Sequence, residues 1–404
     1  MGGPVMSQLV LKSDRIITPQ GEVSGFVEIR DGKIHAITES YLGDYLDYTG
    51  KTLMPGFIDI HIHGWGRGSY AYKGNIESLR YMSEDLPKVG VTAYLPTTST
   101  MPNDFLESSL LAAKEHIGEY RPDMGAEPIG IHMEGPYINK AYLGLQREDS
   151  IQQPSIEGFD HFNQLAGNQV KLMTLAPEIE GSLPLISHLR DKGITASAGH
   201  TAATFDEITA AIEAGLQHFT HAYSGMRGFH HRELGVVGAL MYYQDTFAEV
   251  AKQTGITVKP EAFDILYRLK TDNRMVMMSD CMGYADFPDG YEFYHYLRKE
   301  TFIVEGGKLH LKHDDGSVKT VDPCCYQEVA GLEMNYLESV RAVVDRLDHG
   351  LCSVAKIACE NPAILAGASD RKGKLATGMD ADILVLDDEL NLVDVYCHGV
   401  KQPL

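Results

Sequence analysis

Phe57-Ile58-Asp59-Ile60-His61-Ile62-His63-Gly64 is the stretch on which the fold turns. From Ile58 onward, apolar and polar residues alternate with a period of two, which predicts a β-strand. Residues i and i+2 of a strand point the same way, so His61 and His63 can present two imidazoles to one ion. A bland alternative exists for the pair alone, as packed or solvated histidines. The pattern recurs, however. Short apolar runs end in a group able to bind metal or move a proton at His132-Met133-Glu134-Gly135-Pro136, Ser197-Ala198-Gly199-His200-Thr201, Phe219-Thr220-His221 and Met277-Met278-Ser279-Asp280. Functional groups at the C-terminal ends of several strands are the signature of a barrel's active face.

The surrounding sequence agrees. Between residues 54 and 367, apolar runs alternate with helical patterns at 75–88, 104–120, 204–214 and 334–347. Such alternation implies a parallel sheet, and the length favours a (β/α)8 TIM-like barrel over a doubly wound sheet. No glycine-rich phosphate fingerprint follows any strand. Both chain ends are instead β-rich. The first fifty residues hold short strands broken by Pro19-Gln20-Gly21 and by the hairpin dipeptide Asp31-Gly32. The last thirty repeat that character. The expected α/β organisation is a small β-sandwich domain from residues 6–54 and 368–404, with the barrel from 55 to 367 inserted between its halves.

Composition narrows the function. The net charge of −21 over 404 residues leaves no electrostatic footprint for nucleic acid or an anionic membrane. No apolar run is long enough to span a bilayer. Residues 1–5 before Met6 read as a start-site extension, lacking both a signal-peptide pattern and the Ser or Thr of a myristoylation signal. The six cysteines show no CxxC spacing and read as reduced thiols of a cytoplasmic protein.

Taken singly, each strand-end residue has a structural alternative: Glu134 as a salt-bridge partner, His200 or His221 as core histidines, Asp280 as a helix N-cap. Taken together they make an open catalytic metal set, with Glu134, His200 and His221 as ligands and one position left for water. Glu134 could ligate one metal or bridge two. Asp280, at the edge of a dry core, is placed to act as general base and then general acid. A metal that lowers the pKa of bound water and polarises a carbonyl completes the parts for hydrolysis of a C–N bond.

This ordered set resembles the amidohydrolase superfamily. It is carried by Pro55–Gly64, the HMEGP stretch at 132–136, Thr174-Leu175-Ala176-Pro177-Glu178, Gly199-His200-Thr201, Thr220-His221, Ser279-Asp280, and the tail motifs at 360–363, 372–375 and 378–382. Within the superfamily it is similar to the branch that deacetylates N-acetylated hexosamine 6-phosphates. The resemblance implies a TIM-like barrel with a small β-sandwich. It implies a principal divalent metal, zinc or iron, on Glu134, His200 and His221, and room for a second ion on His61 and His63. It implies release of acetate from N-acetylglucosamine 6-phosphate to leave glucosamine 6-phosphate, with Asp280 serving the water and the leaving amine.

The resemblance also points to substrate contacts. Arg232 matches the family's phosphate-binding arginine, Leu145 and Gln146 lie on its sugar-contacting loop, and Val329-Ala330-Gly331 matches a substrate segment. It further implies a homodimer in which His231 or its neighbour reaches the other chain's phosphate. Three departures stand out. Ser224-Gly225 replaces Asn-Ala, whose backbone amides help hold phosphate. Thr257 replaces a substrate-binding His, and Leu332 replaces a Ser. They motivate an alternative substrate, N-acetylgalactosamine 6-phosphate or another small amide. A sugar-phosphate sensor without turnover is a third reading, opposed by the complete water-activating set.

Overall fold

In the computed structural model, described for residues 8–251, 257–284, 287–295 and 299–404, the centre of the chain closes into a parallel barrel. Its strands are β1 (Phe57–Ile62), β2 (Val91–Thr98), β3 (Ile131–Glu134), β4 (Val170–Leu175), β5 (Thr195–Ala198), β6 (His218–Phe219), β7 (Phe247–Ala251) and β8 (Met275–Met278). Each pairs with the next in parallel. Each is followed by a helix, at Ile76–Asp85, Asn103–Glu119, Ile156–Leu165, Ser182–Asp191, Phe205–Ala214, Gly235–Tyr242, Pro260–Arg274 and Tyr336–Val343.

The seam between β8 and β1 is closed just beyond the strand ends. The Asp280 N–H donates to His61 O at 2.9 Å, and the His63 N–H donates to Cys281 O at 2.8 Å. Buried Asp59 adds a tie, its Oδ1 accepting from the Ser279 N–H at 3.2 Å and the His61 N–H at 3.3 Å. Gly64 and Gly283 allow the close approach: a Cβ on Gly64 would stand 2.3 Å from Met282 O, and one on Gly283 2.3 Å from Gly68 O.

The chain ends meet in one eight-stranded sheet. Val400–Lys401, Leu392–Cys397, Ile383–Leu386, Thr52–Pro55, Leu9–Thr18, Gly21–Arg30 and Lys33–Thr38 lie side by side, with Leu46–Asp47 also against Leu9–Thr18. Leu11, Val27, Ile29, Leu53, Ile383 and Val385 form its own core. Asp31 and Gly32 both adopt positive φ, as the hairpin dipeptide predicts. The expected extension before Met6 lies outside the described residues.

One element was not foreseen. Between β8 and its helix, Glu292–His295, Glu300–Glu305, Lys308–His313 and Val318–Val321 form an antiparallel sheet. It covers a cluster that includes Tyr284, Phe287, Phe302 and Val329. Its base is fixed near the barrel mouth, where the Glu333 carboxylate accepts from the Met282 and Gly283 N–H groups, each at 2.9 Å. Among the described residues, no helix is long and apolar enough to cross a membrane.

Candidate active site

The strand ends bring His61, His63, Glu134, His200, His221 and Asp280 to one point at the barrel mouth. Glu134 is the hub. Its Oε1 lies 3.3 Å from His61 Nε2, 3.1 Å from His200 Nε2 and 3.2 Å from His221 Nε2, and its Oε2 lies 3.2 Å from His63 Nε2. Two triplets, His61–His63–Glu134 and Glu134–His200–His221, each have donor atoms within 4.8 Å of one another and share Glu134. Asp280 Oδ1 stands 3.6 Å from His61 Nε2 and 3.5 Å from His63 Nε2. Its side chain is 31% exposed, whereas the other five are 8% exposed or less. The carboxylate therefore looks both at the centre and at the opening.

Each imidazole is oriented from behind. His63 Nδ1 faces Thr97 O at 3.2 Å, His200 Nδ1 faces Tyr142 O at 2.7 Å, and His221 Nδ1 faces Ser224 O at 3.0 Å. His61 Nδ1 faces a carboxylate oxygen, Glu249 Oε2, at 3.0 Å. An acceptor at Nδ1 fixes the tautomer that leaves the Nε2 lone pair free for a metal. Glu178 secures the turn that carries His200, accepting from Thr201 Oγ1 at 2.6 Å, the Ala202 N–H at 2.7 Å and Asn139 Nδ2 at 2.9 Å.

A polar layer lies beneath this centre. His132 Nε2 meets Thr174 Oγ1 at 2.8 Å, Thr174 Oγ1 meets Thr220 Oγ1 at 2.7 Å, Thr220 Oγ1 meets Ser197 Oγ at 2.5 Å, and Ser197 Oγ meets His218 Nδ1 at 2.9 Å. Burial lowers the pKa of His132 well below its usual value, and that of His218 to about 4. These two rings are neutral members of the scaffold.

The rings facing Glu134 behave differently. Burial pulls His63 down, but hydrogen bonds to Asp280 and Glu134 outweigh it and raise it to about 9. Burial also opposes charge on His61 and His200, and the Glu134 carboxylate again leads the groups that raise both. Burial would raise Glu134 and Asp280, yet the histidines hold both well below the carboxylate range. The centre thus demands positive charge. His61 Nε2 is buried without a hydrogen-bond partner among the described residues. A divalent metal meets both requirements, and imidazoles with a carboxylate are a donor set suited to such an ion.

The expected substrate residues divide. Gln146 joins the centre, its Nε2 donating to Glu134 Oε2 at 2.5 Å while its Oε1 accepts from the Thr100 N–H at 2.6 Å. Gly225 lies against it: with φ +58, an added Cβ would sit 3.2 Å from His221 Cε1 and 3.4 Å from His200 Nδ1. Ser224 lends its carbonyl to His221, and its N–H donates to His221 O at 2.9 Å, so that backbone donor is already engaged. Leu145, His231 and Arg232 are exposed on loops. Thr257 follows β7, its Oγ1 donating to Ala251 O at 2.6 Å. Val329 lies in the cluster beneath the inserted sheet, whereas Ala330 packs against the barrel core and Gly331 is exposed. Glu249, His132 and His218 were missed. The available signal for Glu249 was a carboxylate inside an otherwise apolar strand, Phe247-Ala248-Glu249-Val250-Ala251.

A barrel with a split β-sheet and this convergent His/carboxylate centre defines a class, and sequence comparison agrees. The chain belongs to the amidohydrolase family, whose model matches residues 52–401, and the composite domain of allantoinase matches residues 7–44. Among individual relatives, the N-acetylglucosamine-6-phosphate deacetylase of Bacillus subtilis (strain 168) is 33% identical over 98% of this chain and 97% of its own length. The N-acetylgalactosamine-6-phosphate deacetylase of Escherichia coli O157:H7 is 28% identical over 96% of this chain and 98% of its own. The crystal structure of N-acetylglucosamine-6-phosphate deacetylase from Pasteurella multocida shares the fold, with a TM-score of 0.81 at 24% identity over 98% of this chain and 100% of that one.

Proposed function

We propose that this chain hydrolyses the acetamide of N-acetylglucosamine 6-phosphate, giving acetate and glucosamine 6-phosphate. The observation that carries the reading is the convergence of four Nε2 atoms on Glu134, with Asp280 facing the same point from the open side. The 33% identity to the B. subtilis relative, over nearly the full length of both chains, supports the substrate.

Glu134, His200 and His221 would hold one divalent ion, and His61 and His63 with Glu134 could hold a second. When bound, such an ion supplies Lewis acidity toward the amide carbonyl and lowers the pKa of water. Asp280, ionised and partly open, takes the proton of the attacking water. It then delivers that proton to the amide nitrogen as the C–N bond breaks, so one carboxylate serves as base and acid in turn. Gln146, already on Glu134, borders the space for the acetamide, and Arg232 with His231 supplies cationic and hydrogen-bonding groups for the phosphate. Leu145, Thr257 and Val329–Gly331 complete the sugar surroundings. We assign the exposed loop bearing Phe229, His231 and Arg232 to the contact of a homodimer. The unpaired cysteines fit the reducing cytoplasm.

Acetate release across a panel of N-acetyl hexosamines, each with and without the 6-phosphate, tests the reading. N-acetylglucosamine 6-phosphate is expected to be the best substrate, and the unphosphorylated sugars poor ones. Faster release from N-acetylgalactosamine 6-phosphate would transfer the assignment to the substrate named by the E. coli relative. No release from any member would overturn it.

A further inference from the structure

We propose that Glu249 is a positioning residue for His61, setting how tightly the His61–His63–Glu134 group holds its ion; the proposal rests on the metal-centre reading above. Glu249 lies inside β7 with its side chain fully buried. Its Oε2 reaches His61 Nδ1 at 3.0 Å across the barrel and accepts the His221 N–H at 3.1 Å. One oxygen therefore joins a ligand of one triplet to the backbone of a ligand of the other.

The other three imidazoles of the centre rest on backbone carbonyls, at Thr97, Tyr142 and Ser224. His61 alone among them rests on a carboxylate. A carboxylate behind an imidazole fixes its tautomer and raises its basicity as a ligand more than a carbonyl does. Stability does not explain the arrangement. Glu249 Oε1 has no hydrogen-bond partner among the described residues, and on that side the neutral His218 ring holds its Nε2 3.6 Å away. A buried carboxylate left half-satisfied costs folding free energy. The geometry instead aims its satisfied oxygen at a ligand.

Cobalt(II) titration of metal-stripped full-length protein, read by absorbance and by ions bound per chain, tests this. His61→Asn first identifies the ion that depends on the His61 group. Glu249→Gln is then expected to weaken that ion by about 10- to 100-fold. It should leave the other ion within about twofold and add no further loss in the His61→Asn background, as sites acting through one another do. Equal losses in both backgrounds would make Glu249 merely structural and overturn the proposal, as would no loss in either. Should Glu249→Gln fail to fold, Glu249→Asp, which keeps the charge but withdraws the acceptor by one methylene, is read by the same criteria. Acetate release with no His61-dependent ion would overturn this proposal and leave the function standing. A His61-dependent ion that responds to Glu249, in a chain releasing no acetate, would uphold this proposal and overturn the substrate assignment.

Discussion

Asp280 combines two properties rarely found in one carboxylate: its charge is held by His61 and His63 against the cost of burial, and its side chain still reaches the opening. That is what proton transfer to a substrate nitrogen requires, so Asp280→Asn has a specific expected result. The variant keeps its metal, because Glu134 and the four imidazoles all remain as donors, while turnover falls by about 10²- to 10⁴-fold. Metal content and kcat measured on one preparation decide it, and unchanged kcat would remove Asp280 from the role. Of the six residues of the centre, Glu134, His200, His221 and Asp280 were readable from sequence because each closes a short apolar run, and His61 and His63 because they alternate with apolar residues along one strand. Glu249 was not, because it sits within its run and resembles any interrupted strand. Nor could sequence show that Gln146 turns onto Glu134, since a loop residue's direction is set by what it meets.

At the level of the element, the notable feature is the last step of three strands. His200, His221 and Asp280 follow the ends of β5, β6 and β8 and adopt φ values of +50°, +31° and +50°. This left-handed conformation turns each side chain back over the barrel mouth instead of along the strand. For residues with a Cβ it costs roughly 1–2 kcal/mol apiece. Asp280→Gly should therefore be more stable than Asp280→Ala by about 1 kcal/mol, although both delete the same carboxylate. Denaturant unfolding in chelator compares them, and equal stabilities would mean that the turn is not strained. The alternation of strands and helices was legible because buried parallel strands read as short apolar runs. The antiparallel sheet at 292–321 was not, because it falls inside the β8-to-helix connection, where the barrel pattern assigns only a loop. Its hairpin at Gly306-Gly307 was present in the sequence without a frame to place it.

Across the whole molecule, the two β-rich ends announced a shared sheet, yet the junction that binds that sheet to the barrel could not be foreseen, because its partners lie about 250 residues apart. Fully buried Lys372 reaches Glu127 at 2.7 Å, Asp380 at 3.1 Å and Asp382 at 2.6 Å. Arg371 bridges Glu127 and Asp380, each at 2.7 Å, and His398 meets Glu127 at 2.7 Å. Glu127 belongs to a short strand beside β2, whereas its partners come from the C-terminal segment, so this one carboxylate links the two units. Burial would raise its pKa, but His398, Arg371 and Lys372 together hold it well below the usual range. A carboxylate depressed in the folded state contributes stability that is fully present above its unfolded pKa of about 4.3 and is lost as pH falls toward the folded value. Glu127→Gln removes the charge while Lys372 keeps two carboxylates, so the expected cost near neutrality is about 3 kcal/mol, the lower end for a broken buried pair. The gap between wild type and variant should be constant from about pH 7 to pH 5 and narrow steadily below that, because the wild type loses with acid what the variant never had. Unfolding free energies measured for both proteins from pH 7 to pH 3 trace that gap. A gap that persists unchanged at pH 3 would mean that Glu127 contributes through packing and not through its charge.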